Sequence, residues 1–159
     1  MHPANKHLDD YIAFVQRPSG LHYKYHAEYP HKSIGSQTYD WDAFDQNIFD
    51  KKISTARAVR MVPELLQPLM ILQKPLSRWH GLRDDNALMV GRKAEPGFLN
   101  QGPLGREEFV LHKILDMLGS WALTGIDLQD TEIIYSKTGH RTEIEMLRKL
   151  SPDAFISVN

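Results

Sequence analysis

The stretch GREEFVLHKILDMLGSWA, residues 105–122, decides how the chain is read. Wound as a helix, it gathers Val110, Leu111, Ile114, Met117, Leu118 and Trp121 on one side, which should face a core. His112, Asp116 and Gly119 fall on the opposite side, with Glu108 and Phe109 beside them. His112 and Asp116 are four apart, so both side chains reach one point above the helix surface. An imidazole nitrogen and a carboxylate oxygen presented together make two adjacent ligands for a borderline metal such as zinc. At that spacing the same two residues also read as a solvated surface pair, the commoner outcome, and Lys113 as a solubilising charge.

Outward from this helix, Leu21 to Tyr29 alternates strictly. Leu21, Tyr23, Tyr25, Ala27 and Tyr29 lie on one side, and His22, Lys24, His26 and Glu28 on the other, as in a half-buried strand. His22 and His26 are the other place where histidines gather. Tyr11 to Gln16 is an apolar run, and the turn Arg17-Pro18-Ser19-Gly20 should join it to the next strand as a hairpin. Asp40 or Asp42 is placed to cap a helix through Phe44, Ile48, Phe49 and Ile53 toward Ala56. Pro63 suits the first turn of a second helix. Ala87 to Val90 and Thr131 to Tyr135 read as buried strands, and Arg141 to Leu150 as a closing helix. The pattern predicts an α+β fold, a two-layer sandwich of a mostly antiparallel sheet with helices on one face.

A chain of 159 residues suits one domain with a real core. Hydrophobic residues at 42% and charged residues at 25% are ordinary for a globular protein. Nineteen basic residues face twenty acidic ones for a net charge of -1, which calls for neither nucleic acid nor an anionic membrane. With no cysteine, disulfides, thiol catalysis and cysteine-bound zinc are excluded, so any metal must be held by carboxylates and some of the eight histidines. The first seven residues have no apolar signal core, and Met61 to Leu72 is interrupted by Pro63, Glu64, Gln67 and Pro68. A cytoplasmic protein with no membrane span is expected.

The residues around the central helix carry a family resemblance. Leu99-Asn100 leads through Gly102 and Leu104 to Glu108-Phe109-Val110-Leu111-His112-Lys113-Ile114-Leu115-Asp116 and then Leu118-Gly119. Lys137-Thr138-Gly139-His140, Asp85-Asn86-Ala87-Leu88, Ala56-Arg57 and Tyr29-Pro30-His31-Lys32-Ser33-Ile34 are the other pieces. Together they resemble the zinc-dependent UDP-3-O-acyl-N-acetylglucosamine deacetylase family of lipid A biosynthesis, in family order from about residue 8 to about residue 150. The resemblance is to the family's second domain, with residues 1–7 as a leader and 8–159 as one domain. It implies His112 and Asp116 as zinc ligands, and Lys113 and Lys137 as contacts to a UDP-acyl-glucosamine-type ligand and its diphosphate. It implies His140 as the catalytic histidine that stabilises the charged transition state or acts as acid.

The departures from the family pattern bear on activity. The resemblance places the third zinc ligand and the general base in a first domain with no equivalent segment here. The family's threonine after Ala-Arg is Ala58, and the aspartate after Leu-Gly that supports the catalytic histidine is Ser120. Ser120 should accept a hydrogen bond from His140 but cannot stabilise the imidazolium as a carboxylate would. The expectation is a binding or regulatory relative that is not catalytic alone. The alternatives are half of a split enzyme, or a homodimer assembling two copies of His112 and Asp116. Phe109, Leu115, Val59 and Met61 should leave an apolar patch, so self-association or a protein partner is expected through the face bearing His112, Asp116 and His140.

Overall fold

The alternation of residues 22–28 forms a strand because every second side chain has a core to enter. Tyr23, Tyr25 and Ala27 are buried while Lys24 and Glu28 stay exposed. The computed structural model describes residues 11–29, 31–43, 45–68, 85–91, 97–100, 102–126 and 128–149; the 1–7 leader, Pro30, Phe44 and Leu150 lie outside these. The strands are β1 (Tyr11–Gln16), β2 (His22–Glu28), β3 (Ser36–Asp42), β4 (Ala58–Val62), β5 (Ala87–Gly91) and β6 (Thr131–Ser136). The helices are α1 (Gln46–Ile48, continued by a π turn over Phe49–Ile53), α2 (Glu108–Ala122) and α3 (His140–Lys149).

Four strands form the main sheet in the order β1-β6-β2-β3. The β1–β6 and β2–β3 ladders are antiparallel, and the β2–β6 ladder is parallel, Tyr25 facing Tyr135. The fold is α+β with a mostly antiparallel sheet. The expected hairpin between β1 and β2 does not form, because β6 inserts between them. The Arg17–Gly20 turn steps over β6, held by Asp130, whose carbonyl accepts from Arg17 N and whose Oδ1 accepts from Gly20 N, both at 2.8 Å. Ile133 and Tyr135 of β6 are fully buried, so this strand gains from a partner on each edge, which a two-stranded hairpin would deny it.

Asp40 and Asp42 belong to β3, and the N-cap of α1 is Asp45, its Oδ1 accepting from Ile48 N at 3.1 Å. The reason lies in residues 36–42, where Gln37, Tyr39 and Trp41 turn inward and alternate with exposed Ser36, Thr38, Asp40 and Asp42. Pro63 leads into a 3-10 turn over Glu64–Leu66, and helical backbone follows at residues 67 and 68, where the described segment ends. Val59 and Met61, expected in an apolar patch, lie in β4, which pairs in parallel with β5 as a second, two-stranded sheet; Val59 is part-buried there and Met61 exposed.

Helix α2 packs its Val110, Leu111, Ile114, Met117 and Trp121 against β2, β3 and β6. Stacked pairs of Tyr25 with Tyr135 (5.2 Å) and Tyr23 with Trp41 (5.5 Å) fill the layer between. Each side chain fully buried this way contributes about 1.5–3 kcal/mol. The first turn of α2 differs from the expectation. Phe109 is 1% exposed, packed with Ile34, Leu88 and Val90 between the two sheets and against Phe98 and Tyr29. Glu108 is buried too. Phe109 therefore offers no surface to a partner, because β4–β5 covers the side of α2 that a single sheet would have left open.

Candidate functional site

The spacing of four along α2 brings His112 and Asp116 side by side, with Nε2 of His112 3.4 Å from Oδ1 of Asp116. The other ring nitrogen of His112, Nδ1, lies 3.2 Å from the carbonyl oxygen of Ala56. A carbonyl only accepts, so this bond uses a proton on Nδ1 and makes Nε2, beside Asp116, the nitrogen available to a metal. Histidine ligands are oriented in this way by the partner of the nitrogen that does not bind metal.

Ala56 is held in place by its neighbour. Arg57 and Glu108, 4% and 3% exposed, form a buried ion pair with Nε to Oε1 at 2.7 Å and Nη2 to Oε2 at 3.0 Å. Glu108 also accepts from the backbone N–H groups of Arg57 (3.1 Å) and Leu104 (2.6 Å), and Arg57 Nη2 donates to the Gly102 carbonyl at 2.8 Å. Burial pushes the Glu108 carboxyl up, but these donors and the guanidinium outweigh it and hold it below its ordinary range. The pair clamps the 56–57 segment to the start of α2 one turn ahead of His112.

The second half of the site comes from the turn between β6 and α3. Lys137 takes a left-handed conformation at φ 53°, its N–H donating to the His26 carbonyl at 2.8 Å. A non-glycine residue persists in this region only when its surroundings over-determine it. Here Thr138 is buried beneath it, its carbonyl accepting from Tyr25 OH at 2.9 Å. The turn sets His140 at the first position of α3, with Nε2 3.4 Å from Asp116 Oδ2 and Nδ1 3.7 Å from Glu143 Oε2. Lys113 Nζ also reaches Asp116 Oδ2, at 3.6 Å. His112, Lys113 and His140 thus converge on Asp116. Lys137 pairs through its ammonium with Glu28 and lines a small cavity together with Tyr29 and Lys113.

Ser120 corrects one expectation. Its hydroxyl donates to the Asp116 carbonyl at 3.2 Å and to Glu143 Oε2 at 3.3 Å, rather than accepting from His140. The carboxylate on the Nδ1 side of His140 is Glu143, which the sequence reading missed although it lies three residues after His140 on the same helical face. Glu143 is 1% exposed and its Oε1 is buried with no hydrogen-bond partner. Burial raises its carboxyl above the ordinary range, against the pull of His140, Lys113 and Ser120. Two buried glutamates are therefore shifted in opposite directions, since Glu108 is met by four donors and Glu143 by one hydroxyl and a neighbouring imidazole.

His112 opens onto a cleft of about 720 Å³ lined also by Thr55, Ala58, Asp85, Asn86 and Leu104. Tyr29 lies nearby with its hydroxyl buried and unpartnered, its pKa pushed up to about 12 by burial and by Asp116. For zinc, the donor types and the His112 orientation fit two ligand positions. Among the described residues no third histidine or carboxylate completes a metal-holding group.

The sequence that builds this site matches a known family. The profile of LpxC, UDP-3-O-acyl N-acetylglycosamine deacetylase, matches residues 4–152. The chain belongs to this family. It is 33% identical over 126 residues to the UDP-3-O-acyl-N-acetylglucosamine deacetylase of Wolinella succinogenes, covering 77% of this chain and 39% of that protein. The enzyme of the same name from Thermodesulfovibrio yellowstonii is 31% identical over 137 residues, covering 86% of this chain and 44% of that protein. For that from Synechocystis the identity is 26% over 149 residues, with coverage of 94% and 50%. The chain spans about half the length of the curated relatives it matches. Among the described residues no helix is long and apolar enough to cross a membrane.

Proposed function

We propose that the chain is a binding or regulatory relative of the deacetylase, keeping part of a zinc and sugar-nucleotide site and not catalytic alone. His112 and Asp116 hold the metal, Lys113 and Lys137 meet the UDP-acyl-glucosamine-type ligand, and His140 faces the reacting carbonyl. The observation that carries this is the Nδ1 bond of His112 to Ala56, which makes Nε2, beside the Asp116 carboxylate, the nitrogen available to a metal. When bound, zinc supplies a water acidified toward neutral pH and a charge that polarises a carbonyl. The chain's own residues do the rest: His140 presents its ring edge to an oxyanion, and Lys113, 3.6 Å from Asp116 Oδ2, orients that carboxylate. Lys137 reaches a diphosphate by exchanging the Glu28 carboxylate for phosphate oxygens. Two protein donors fall short of the three usual at catalytic zinc, which is why turnover by this chain alone is not expected. A cytoplasmic setting suits a sugar-nucleotide ligand.

The alternative is half of a split or homodimeric deacetylase of lipid A biosynthesis. It is favoured by the retained contact of His140 with Asp116, an arrangement that binding alone does not require. A second polypeptide, either a separate first domain or a second copy, would then supply the remaining donors through the face bearing His112, Asp116 and His140. The test is acetate release from UDP-3-O-acyl-N-acetylglucosamine by the purified chain with added zinc. No turnover, with ligand binding lost in His112→Ala, supports the first reading. Zinc-dependent turnover that disappears in His112→Ala replaces it with the homodimeric site.

A further inference from the structure

We propose that Glu143 is the positioning residue for His140, delivering from α3 the carboxylate that turns the imidazole toward α2. Four observations carry this. Glu143 is a carboxylate at 1% exposure, in a place where solvent contributes nothing to holding it. Its Oε2 is tied across the helix pair by the Ser120 hydroxyl at 3.3 Å, and the same hydroxyl donates to the Asp116 carbonyl at 3.2 Å. Oε2 faces Nδ1 of His140 at 3.7 Å, while Nε2 on the opposite side of the ring faces Asp116 Oδ2 at 3.4 Å. The His140 side chain is itself 65% exposed, so packing does not fix its rotamer and the two carboxylates must.

The geometry also shows why the carboxylate sits on α3. Ser120 occupies the α2 side of this contact, and its hydroxyl is turned to the Asp116 carbonyl and to Glu143 Oε2. A glutamate three residues after His140 spans the gap from the other helix and takes Ser120 as its donor. Glu143 Oε1, buried without a partner, is a cost that packing alone gives no reason to keep. Glutamine at this position would keep the shape without the charge.

This rests on the reading of His140 as a site residue, but it is tested in metal-free, ligand-free protein, so the two fail separately. Loss of the zinc effect would sink the site with the ring contacts intact; loss of ring positioning would leave zinc binding through His112 untouched. The measurement is the set of nuclear Overhauser contacts from the His140 ring protons to Asp116 and Lys113, with the ring-nitrogen shifts, in wild type, Glu143→Gln, Ser120→Ala and Glu143→Gln/Ser120→Asp. Glu143→Gln should lose most of these contacts and move the nitrogen shifts toward those of a free, exposed histidine. Ser120→Ala, a milder change, should weaken the contacts partially. Adding Ser120→Asp to Glu143→Gln should restore them, since the new carboxylate arises beside the place that Glu143 held. Contacts unchanged in Glu143→Gln overturn the proposal. So does a folded double variant without restoration, or, where Glu143→Gln does not fold, a Ser120→Ala protein identical to wild type.

Discussion

The Nδ1 atom of His112 bonds across 3.2 Å to the carbonyl of Ala56, a residue fifty-six positions earlier that is held there by the Arg57–Glu108 ion pair. One backbone carbonyl thus sets the tautomer of a metal-ligand candidate, and a buried ion pair sets the carbonyl. The orientation of His112 depends on an ion pair between segments fifty-one residues apart.

Zinc should raise the melting temperature of the protein modestly, following the mass-action dependence on free metal. Changing His112 to alanine should abolish the rise, as should Asp116→Ala. A rise of equal size in His112→Ala would place the metal elsewhere, with His22 and His26 of β2 as the next candidates. Those two are committed to Asp40 (3.7 Å) and Thr38 (2.8 Å), which argues against them.

Glu108→Gln should destabilise the fold strongly at neutral pH, by roughly 3–5 kcal/mol, because it leaves the Arg57 guanidinium buried without its counter-charge. The Glu108 pKa is depressed in the folded state, so its contribution is present above the ordinary 4.5 and is lost as pH falls below it. Denaturant titrations across that range should show the gap between wild type and variant narrowing toward acid. A gap that is constant with pH would mean that packing, and not charge, holds the segment.

Glu143→Gln should behave oppositely. The folded state raises this carboxyl above 4.5 and so binds its proton more tightly than the unfolded chain does. Its contribution to stability is therefore greatest below 4.5 and declines as pH rises through the folded value. Relative to wild type, the glutamine variant should gain stability from acid to neutral pH. Parallel stability curves for the two proteins would contradict the assigned direction. A gain in stability combined with loss of His140 positioning would mark Glu143 as a residue kept at a cost for its role in the site.

Phe109→Ala should cost about 3–5 kcal/mol, the usual range for removing a large buried aromatic. Phe109→Glu should leave little folded protein, since the new charge would lie among Ile34, Leu88 and Val90. Circular dichroism and light scattering together check this. A folded Phe109→Glu protein with altered self-association would return Phe109 to the surface, against its 1% exposure.

Local pattern was sufficient for several elements. The strand at 22–28, the strands at 87–91 and 131–136, and the helices at 108–122 and 140–149 follow from alternation, apolar runs and 3.6-residue spacing. The pairing of His112 with Asp116 follows from that spacing as well, because residues four apart on a helix are neighbours wherever the helix lies. Family motifs, read in order along the chain, supplied the family itself, which the match over residues 4–152 bears out.

What tertiary structure alone decided concerns contacts between segments distant in sequence. The hairpin expectation failed because the partner of β1 is β6, with Tyr11 opposite Ser136, and no local signal encodes a ladder closed across more than a hundred residues. Phe109 and Glu108 were placed near a solvated face because a helical wheel assumes one packing layer, whereas α2 begins between two sheets. His140 was assigned Ser120 as its partner by position in a motif. The turn at Lys137 and the packing of α3 on α2 instead bring it between Asp116 and Glu143. Helical periodicity determined which side chains share a surface. Only the packing of α2 against the second sheet and against α3 decided which of those surfaces became core and which became the site.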